Sequence, residues 1–173
     1  DGSKTIGAAA MVTPYVHNNT TGSTAFSAEE LAELLKELNE ADLDLHTHTV
    51  GERASRVVLD AVEMVKKEHK DKFHIRVTCA HLEVQDDADL GRFNELGVIA
   101  NFTPWWHADD PSTMYHMLGE ERAKKQFRCK TIWDSGALVA WSSDNITFED
   151  FNNWNPFLGM EIGMTRRTTE KTR

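Results

Sequence analysis

The chain has 173 residues, of which 40% are hydrophobic and 27% are charged, and its formal net charge is -9. This length fits one domain with a core of its own. The negative charge argues against a nucleic-acid partner, because binding a phosphate backbone needs a basic face. A membrane partner is also not expected, since no apolar run approaches the roughly 18 residues of a membrane span.

The two cysteines, Cys79 and Cys129, form no disulfide framework and lack the CxxC spacing of a redox or zinc site. Cys79 lies in a predicted buried strand, where a free thiol behaves as a small hydrophobe. The amino terminus lacks the charged segment followed by an apolar segment that is typical of a signal peptide. We therefore expect a reducing compartment, the cytoplasm.

The first predicted helix begins at Ser27, after an extended loop over residues 1–26 with a short strand near 8–12. Glu30 follows Ser27 by three residues, which is the spacing of a capping box. The apolar residues then recur at helical spacing. They are Leu31, Leu34, Leu35 and Leu38.

Helices and strands alternate along the remainder of the chain. A strand ending at His48 precedes a helix with an apolar stripe over 54–65, and a second strand, 75–81, ends at His81. A helix capped by Asp86 and stopped by Gly97 follows. The last predicted elements are a strand over 98–103 that Pro104 stops, a helical segment over 111–130, and a strand over 137–144.

This alternation predicts an α/β fold with a parallel sheet and right-handed crossovers. The strand starts are spaced like the units of a (β/α)8 barrel, yet four strands cannot close an eight-stranded barrel. The chain is therefore either a small open α/β sheet or the later part of such a barrel.

Three residues suited to metal binding follow the strands at their carboxyl ends: His48, His81 and Asp144. Ligands of parallel α/β proteins bind at this edge, and imidazole nitrogen and carboxylate oxygen are ordinary zinc or manganese donors. Any one of these residues alone could simply cap its own turn. Three at equivalent positions favour a metal site.

Four segments, in order, resemble the amidohydrolase superfamily, and specifically its YtcJ-like branch of N-substituted formamide deformylases and AepA-like proteins. They are Asp1-Gly2-Ser3, His48-Thr49-Val50-Gly51-Glu52-Arg53-Ala54 followed by Leu59-Asp60-Ala61, Cys79-Ala80-His81, and Ser143-Asp144. The similarity is collinear over nearly all 173 residues. It implies that the chain is about strands five to eight of a (β/α)8 barrel, as one partial domain over residues 1–173.

The resemblance also implies a site and an activity. His48 and His81 become the metal ligands of strands five and six, and Asp144 becomes the strand-eight carboxylate that binds metal and takes the proton from the attacking water. The implied cofactor is a divalent metal, with zinc as first choice and one or two ions in the full-length parent. The implied reaction is hydrolysis of a C–N bond in an amide or formamide-like small molecule.

The sequence departs from the family pattern in two places. The family's first-strand His-x-His is absent, and Lys4 follows the Asp-Gly pair instead of preceding it, so it is not the family's metal-bridging lysine. His46 is then an extra histidine, which we expect to support the site rather than bind metal. The chain lacks an initiator Met and closes on the polar tail 165–173. We therefore expect a piece of a longer chain that is inactive alone.

Other residues carry weaker hypotheses. Trp105, Trp106 and His107 follow the third strand and either line a substrate pocket or pack the barrel mouth. Arg53 is expected to form a structural ion pair near its helix start. Uncovered strand edges would favour a homo-oligomer such as a dimer. The alternative to an enzyme is a regulatory or binding α/β domain whose histidines are remnants.

Overall fold

The computed structural model describes residues 1–108, 110–144 and 154–167 of the chain. Its centre is one parallel sheet of four strands whose spatial order follows the sequence, β1-β2-β3-β4. The strands are β1 Leu45–Thr49, β2 Val77–His81, β3 Ile99–Phe102 and β4 Val139–Trp141. The predicted parallel α/β arrangement is therefore confirmed.

Helices connect the strands, as the alternating pattern predicts. Seven α-helices lie in the described part of the chain: α1 Ala28–Glu40, α2 Glu52–His69, α3 Arg92–Leu96, α4 Tyr115–Leu118, α5 Glu120–Lys124, α6 Cys129–Asp134 and α7 Pro156–Thr165. Short 3-10 turns include Lys4–Ile6, Lys70–Lys72, Asp87–Asp89, Pro104–Ala108 and Pro111–Met114. Among these described helices, none combines the length and apolarity needed to cross a membrane.

Helix α1 begins with the predicted capping box. The hydroxyl of Ser27 accepts from the N–H of Glu30 at 3.2 Å, and the Glu30 carboxylate accepts from the N–H of Ser27 at 2.8 Å. Two N–H groups that the first helical turn leaves unpaired are thus satisfied. Leu31 and Leu35 on the buried side of the helix join the core shared with α2.

The main core lies between the sheet and its helices. Its largest fully buried members include Leu35, Leu59, Phe93 and Phe102. Cys79 is also fully buried in this core, as the sequence predicts, and burial raises the pKa of its thiol to about 12. Cys79 is therefore a packing residue, because the reactive thiolate is strongly disfavoured there.

Four sequence-based predictions differ from the structure. The helix expected between Asp86 and Gly97 is divided into the 3-10 turn Asp87–Asp89 and α3, and the strand expected over 137–144 spans only Val139–Trp141. Residues 8–12 form no strand; the N–H of Met11 donates to the carbonyl of Thr21, and this loop folds back on itself. The helical segment over 111–130 is divided, because Gly119 adopts φ 76° between α4 and α5. A glycine tolerates that left-handed conformation at low cost, and the helix direction changes there.

The start of α2 fastens this N-terminal loop to the sheet. The buried carboxylate of Glu52 accepts from the backbone N–H groups of 12–13 at 3.1 and 3.3 Å. The guanidinium of Arg53 donates to the carbonyls of Thr21 and Gly22 at 3.2 and 2.7 Å. Arg53 is thus structural, as expected, but its side chain holds backbone carbonyls instead of the expected carboxylate.

Candidate functional site

The candidate site lies at the carboxyl edge of β1 and β2. The register pairs His48 with Ala80 and Thr49 with His81. Side chains alternate between the two faces of a strand, so His46 and His48 share one face. By the same rule, His81 belongs to the face of Thr49, away from His48.

An unusual backbone conformation brings His81 to His48 nevertheless. His81 and the next residue, Leu82, have φ values of 77° and 49°. This left-handed conformation costs of the order of 1–3 kcal/mol for a non-glycine residue and persists only where the surroundings impose it. The two imidazole rings lie 4.3 Å apart between centroids, and their Nε2 atoms face each other at 3.4 Å.

The surroundings of His81 hold its ring on two sides. His81 is only 4% exposed, its Nδ1 lies 3.2 Å from the hydroxyl of Thr103, and its ring stacks on Trp106 at 4.9 Å. Burial and, after it, the neighbouring His48 lower the pKa of His81 to about 4, and Asp144 opposes the shift. His81 is therefore neutral at pH 7, which is the state that binds metal.

The spacing of the two imidazoles suits a shared divalent ion. Zinc binds histidine nitrogen at about 2.0–2.1 Å in tetrahedral sites, which places two ligand nitrogens about 3.3–3.4 Å apart. The Nε2 atoms of His48 and His81 lie 3.4 Å apart. The same separation also allows a long N–H···N hydrogen bond between the two rings. The spacing is therefore compatible with two ligands of one ion as well as with a direct hydrogen bond.

Asp144 lies at the same edge, three residues after β4 ends at Trp141. Its side chain is exposed and its backbone has φ 50°. Asp144 is close enough to raise the pKa of His81 electrostatically. Within the described ranges, however, no group of three or more His, Cys, Asp or Glu side chains could hold a metal ion. The structure thus brings two donors together and places Asp144 near them.

The sequence model of the amidohydrolase family matches residues 1–171. The chain belongs to the amidohydrolase family. It is 26% identical over 153 residues to the YtcJ protein of Bacillus subtilis (strain 168), whose name places it among the amidohydrolases. It is also 26% identical over 146 residues to LONG AFTER FAR-RED 3 of Arabidopsis thaliana. These matches cover 88% and 83% of the chain.

Two crystal structures of uncharacterized metal-dependent hydrolases are similar to this amidohydrolase chain. The Pyrococcus furiosus protein matches 94% of the chain with 26% identity and a TM-score of 0.76. The Pyrococcus horikoshii OT3 protein matches 97% with 21% identity and a TM-score of 0.70, which is a likeness of fold. The chain spans 27% and 25% of the two sequence relatives and 32% and 35% of the two structures.

The remaining sequence-based candidates of this amidohydrolase chain occupy different surroundings. His46 is exposed on β1, on the same face as His48. Trp106 stacks on His81. Trp105 lines a cleft of about 270 Å³ whose other walls include Trp141 and Trp154. His107 is buried in the interior. The three ring-bearing candidates, Trp105, Trp106 and His107, therefore lie in three separate environments.

Sequence reasoning missed two residues that support the site. The Asp1 carboxylate accepts from the N–H groups of Val50 and Gly51, both at 2.9 Å, and from Ala10 at 3.0 Å. It thereby fixes the turn directly after β1. Thr103 contacts His81. Both residues lay in segments already singled out, but only the folded structure shows these contacts.

The burial of His107 leads us to predict how the stability of the fold depends on pH. His107 is 2% exposed, packs between Phe102 and Phe127, and its pKa is lowered to about 3 by burial and by Arg166. An unfolded chain takes up this proton near the ordinary value of about 6.5. The unfolded state therefore binds more protons between these values, and this contribution to stability is lost as pH falls from about 6.5 toward 3.

We expect His107→Phe to make the free energy of unfolding depend less steeply on pH. Between about pH 3 and 6.5 the slope should fall by at most about 1.4 kcal/mol per pH unit. Urea denaturation at a series of pH values measures the slope. His116→Phe, on an exposed histidine, is the matched control for losing one imidazole. Equal slopes in wild type and His107→Phe would contradict the prediction.

Proposed function

We propose that this chain forms about strands five to eight of the (β/α)8 barrel of a metal-dependent hydrolase that acts on C–N bonds. The substrate would be a small amide or formamide-like molecule. The observation that carries this proposal is the approach of the two Nε2 atoms, 3.4 Å apart, at the carboxyl edge of neighbouring strands. The two metal-dependent hydrolases with similar structures support it.

The sheet order supports a barrel over a small open sheet. Doubly wound sheets reverse their strand order at a switch point, where their ligands bind. The four described strands run in the order β1-β2-β3-β4 with every pair parallel, and no reversal occurs among them. A barrel follows the same sequential order around its circumference. The free edges of β1 and β4 are then where the other strands of the parent would pair.

His48 and His81 are the residues that would hold the divalent ion, for which zinc is our first choice. Such an ion supplies Lewis acidity, since it lowers the pKa of a water ligand from 15.7 toward about 7 and polarises a carbonyl. The remaining ligands would come from Asp144 and from parts of the full-length parent. The relatives are three to four times longer than the chain, which leaves room for them.

The chain's own residues would then have distinct tasks. His81, neutral and buried, keeps its nitrogen available, and His48 presents the second nitrogen from the neighbouring strand. Asp144 would accept a proton from the attacking water as the C–O bond forms, and would return it to the nitrogen as the C–N bond breaks. Its exposed carboxylate at the sheet edge is suited to exchange protons with substrate.

Two observations keep a second function open, a regulatory or binding domain whose histidines are remnants. The described residues contain no cluster of three metal-ligating side chains. A relative, LONG AFTER FAR-RED 3, also has a name that describes no catalytic activity. Under either function we propose that the 173-residue chain alone is inactive, because it spans only 27% and 25% of its two sequence relatives and lacks the first-strand His-x-His that the family resemblance implies.

The first prediction from the proposed function concerns metal binding. His48→Ala and His81→Ala should each weaken Zn²⁺ or Co²⁺ binding by at least about tenfold, because each removes one of the few available donors. Titration calorimetry of the purified chain measures the affinity. His46→Ala, on the same face of the same strand, is the matched control and should bind like wild type. Equal loss in all three variants would contradict the assignment.

The second prediction concerns proton transfer in the full-length parent. Asp144→Asn should lower kcat for an amide or formamide substrate by about 10²–10⁴-fold, because the amide cannot take a proton from water. Release of the free amine measures the rate. Asp134→Asn, on a surface carboxylate paired with Lys130, is the control. Unchanged kcat in Asp144→Asn, or strong hydrolysis by the 173-residue chain, would refute the proposal.

The third prediction concerns assembly of the 173-residue chain. Because β1 and β4 are edge strands of the described sheet, their unpaired N–H and C=O groups should drive association, as a dimer that covers both edges. Light scattering coupled to size exclusion measures the mass. A monodisperse monomer at micromolar concentration would refute this prediction.

A further inference from the structure

We propose that Thr103 and Trp106, on the turn after β3, are positioning residues that fix the ring and the tautomer of His81. Together we call them the His81 clamp. The clamp would keep the proton of the neutral imidazole on Nδ1 and the lone pair of Nε2 directed at His48. The proposal gives Trp106 a task other than the substrate contact that its sequence position suggests.

The local backbone explains why these two residues act together. The turn Pro104–Ala108 is a 3-10 helix, and the N–H of Trp106 donates to the carbonyl of Thr103 at 3.1 Å. This hydrogen bond ties Thr103, just before the 3-10 helix, to Trp106 within it, and both side chains contact His81.

Thr103 contacts the edge of the ring. Its hydroxyl lies 3.2 Å from Nδ1 of His81, and both residues are almost fully buried, at 1% and 4% exposed. A neutral imidazole carries one N–H, and the hydrogen bond made by one nitrogen decides which nitrogen is free. The Thr103 hydroxyl can donate or accept, and we assign it as the acceptor of the Nδ1–H, which leaves Nε2 unprotonated as a metal ligand requires.

Trp106 contacts the face of the same ring. The two ring centroids lie 4.9 Å apart with an angle of 22° between the planes, which is a stacked arrangement. The second side-chain torsion of histidine is broad and has no sharp preference, so a stacked indole is needed to define the ring plane. The strained backbone of His81, at φ 77°, directs the side chain, and the clamp then fixes its orientation.

Nitrogen NMR of the metal-free chain at neutral pH tests the tautomer directly. We expect wild-type His81 to carry its proton on Nδ1, Thr103→Val to shift it to Nε2, and Thr103→Ser, which keeps the hydroxyl, to restore it. Thr49→Val is the matched control, because that buried hydroxyl donates to the carbonyl of Ala80 at the same edge. Protonation on Nε2 in wild type would overturn the proposal.

Metal affinity provides the second readout. Loss of a partner that orients a ligand typically weakens metal binding 10–100-fold. We expect this loss for Zn²⁺ in Thr103→Val and Trp106→Ala, and near wild-type affinity in Thr103→Ser, Trp106→Phe and Thr49→Val. If Trp106→Ala does not fold, comparing Thr103→Val with Thr103→Ser still tests the clamp. Equal affinity and an unchanged tautomer in Thr103→Val would reject the clamp.

This inference rests on the proposed function, because it takes His81 as a metal ligand, but the two can fail separately. If wild type binds no Zn²⁺ while Thr103→Val still changes the tautomer, the metal site is rejected and the positioning role stands. If wild type binds Zn²⁺ through His81 and Thr103→Val changes neither readout, the clamp is rejected and the metal site stands.

Discussion

The approach of His48 and His81 is the interaction on which the candidate site depends, and strand geometry alone forbids it. The register places His81 beside Thr49, on the opposite face from His48. At His81 the backbone leaves strand geometry with a positive φ, Leu82 follows with another, and the imidazole reaches His48. The fully buried side chain of Leu82, packed in the main core, helps impose this conformation. Core packing thereby sustains a local strain whose result is a pair of facing nitrogen atoms.

The N-terminal loop supports the same edge of the sheet from outside. Its Asp1 carboxylate accepts from Val50 and Gly51 just after β1. Glu52 and Arg53, at the start of α2, bind the loop in return. The segment 48–54, which resembles the family most clearly, thus serves structure as well as chemistry. One residue in it is a candidate ligand, and several others fasten the loop to the strand end.

Much of this fold could be predicted from local patterns. The Ser27–Glu30 capping box and the apolar stripe of α2 correctly predict two helices, because caps and helical periodicity are local properties. The strand expected near 8–12 is wrong because that stretch pairs with no sheet, and its backbone groups bond instead to the N-terminal loop and to the start of α2. The burial of His107 could not be predicted either, since the sequence does not show that Phe102 and Phe127 pack against its ring.

The sequence by itself determined the alternation of helices and strands, the position of candidate donors at strand ends, and the membership of the chain in the amidohydrolase family. These follow from periodicity, capping and motif, which are written in neighbouring residues. Only the tertiary structure decided that His81 turns toward His48, that Thr103 and Trp106 enclose its ring, and that Asp1 secures the end of β1. Such contacts join residues 20 or more positions apart, because packing and backbone strain act across the fold rather than along the chain.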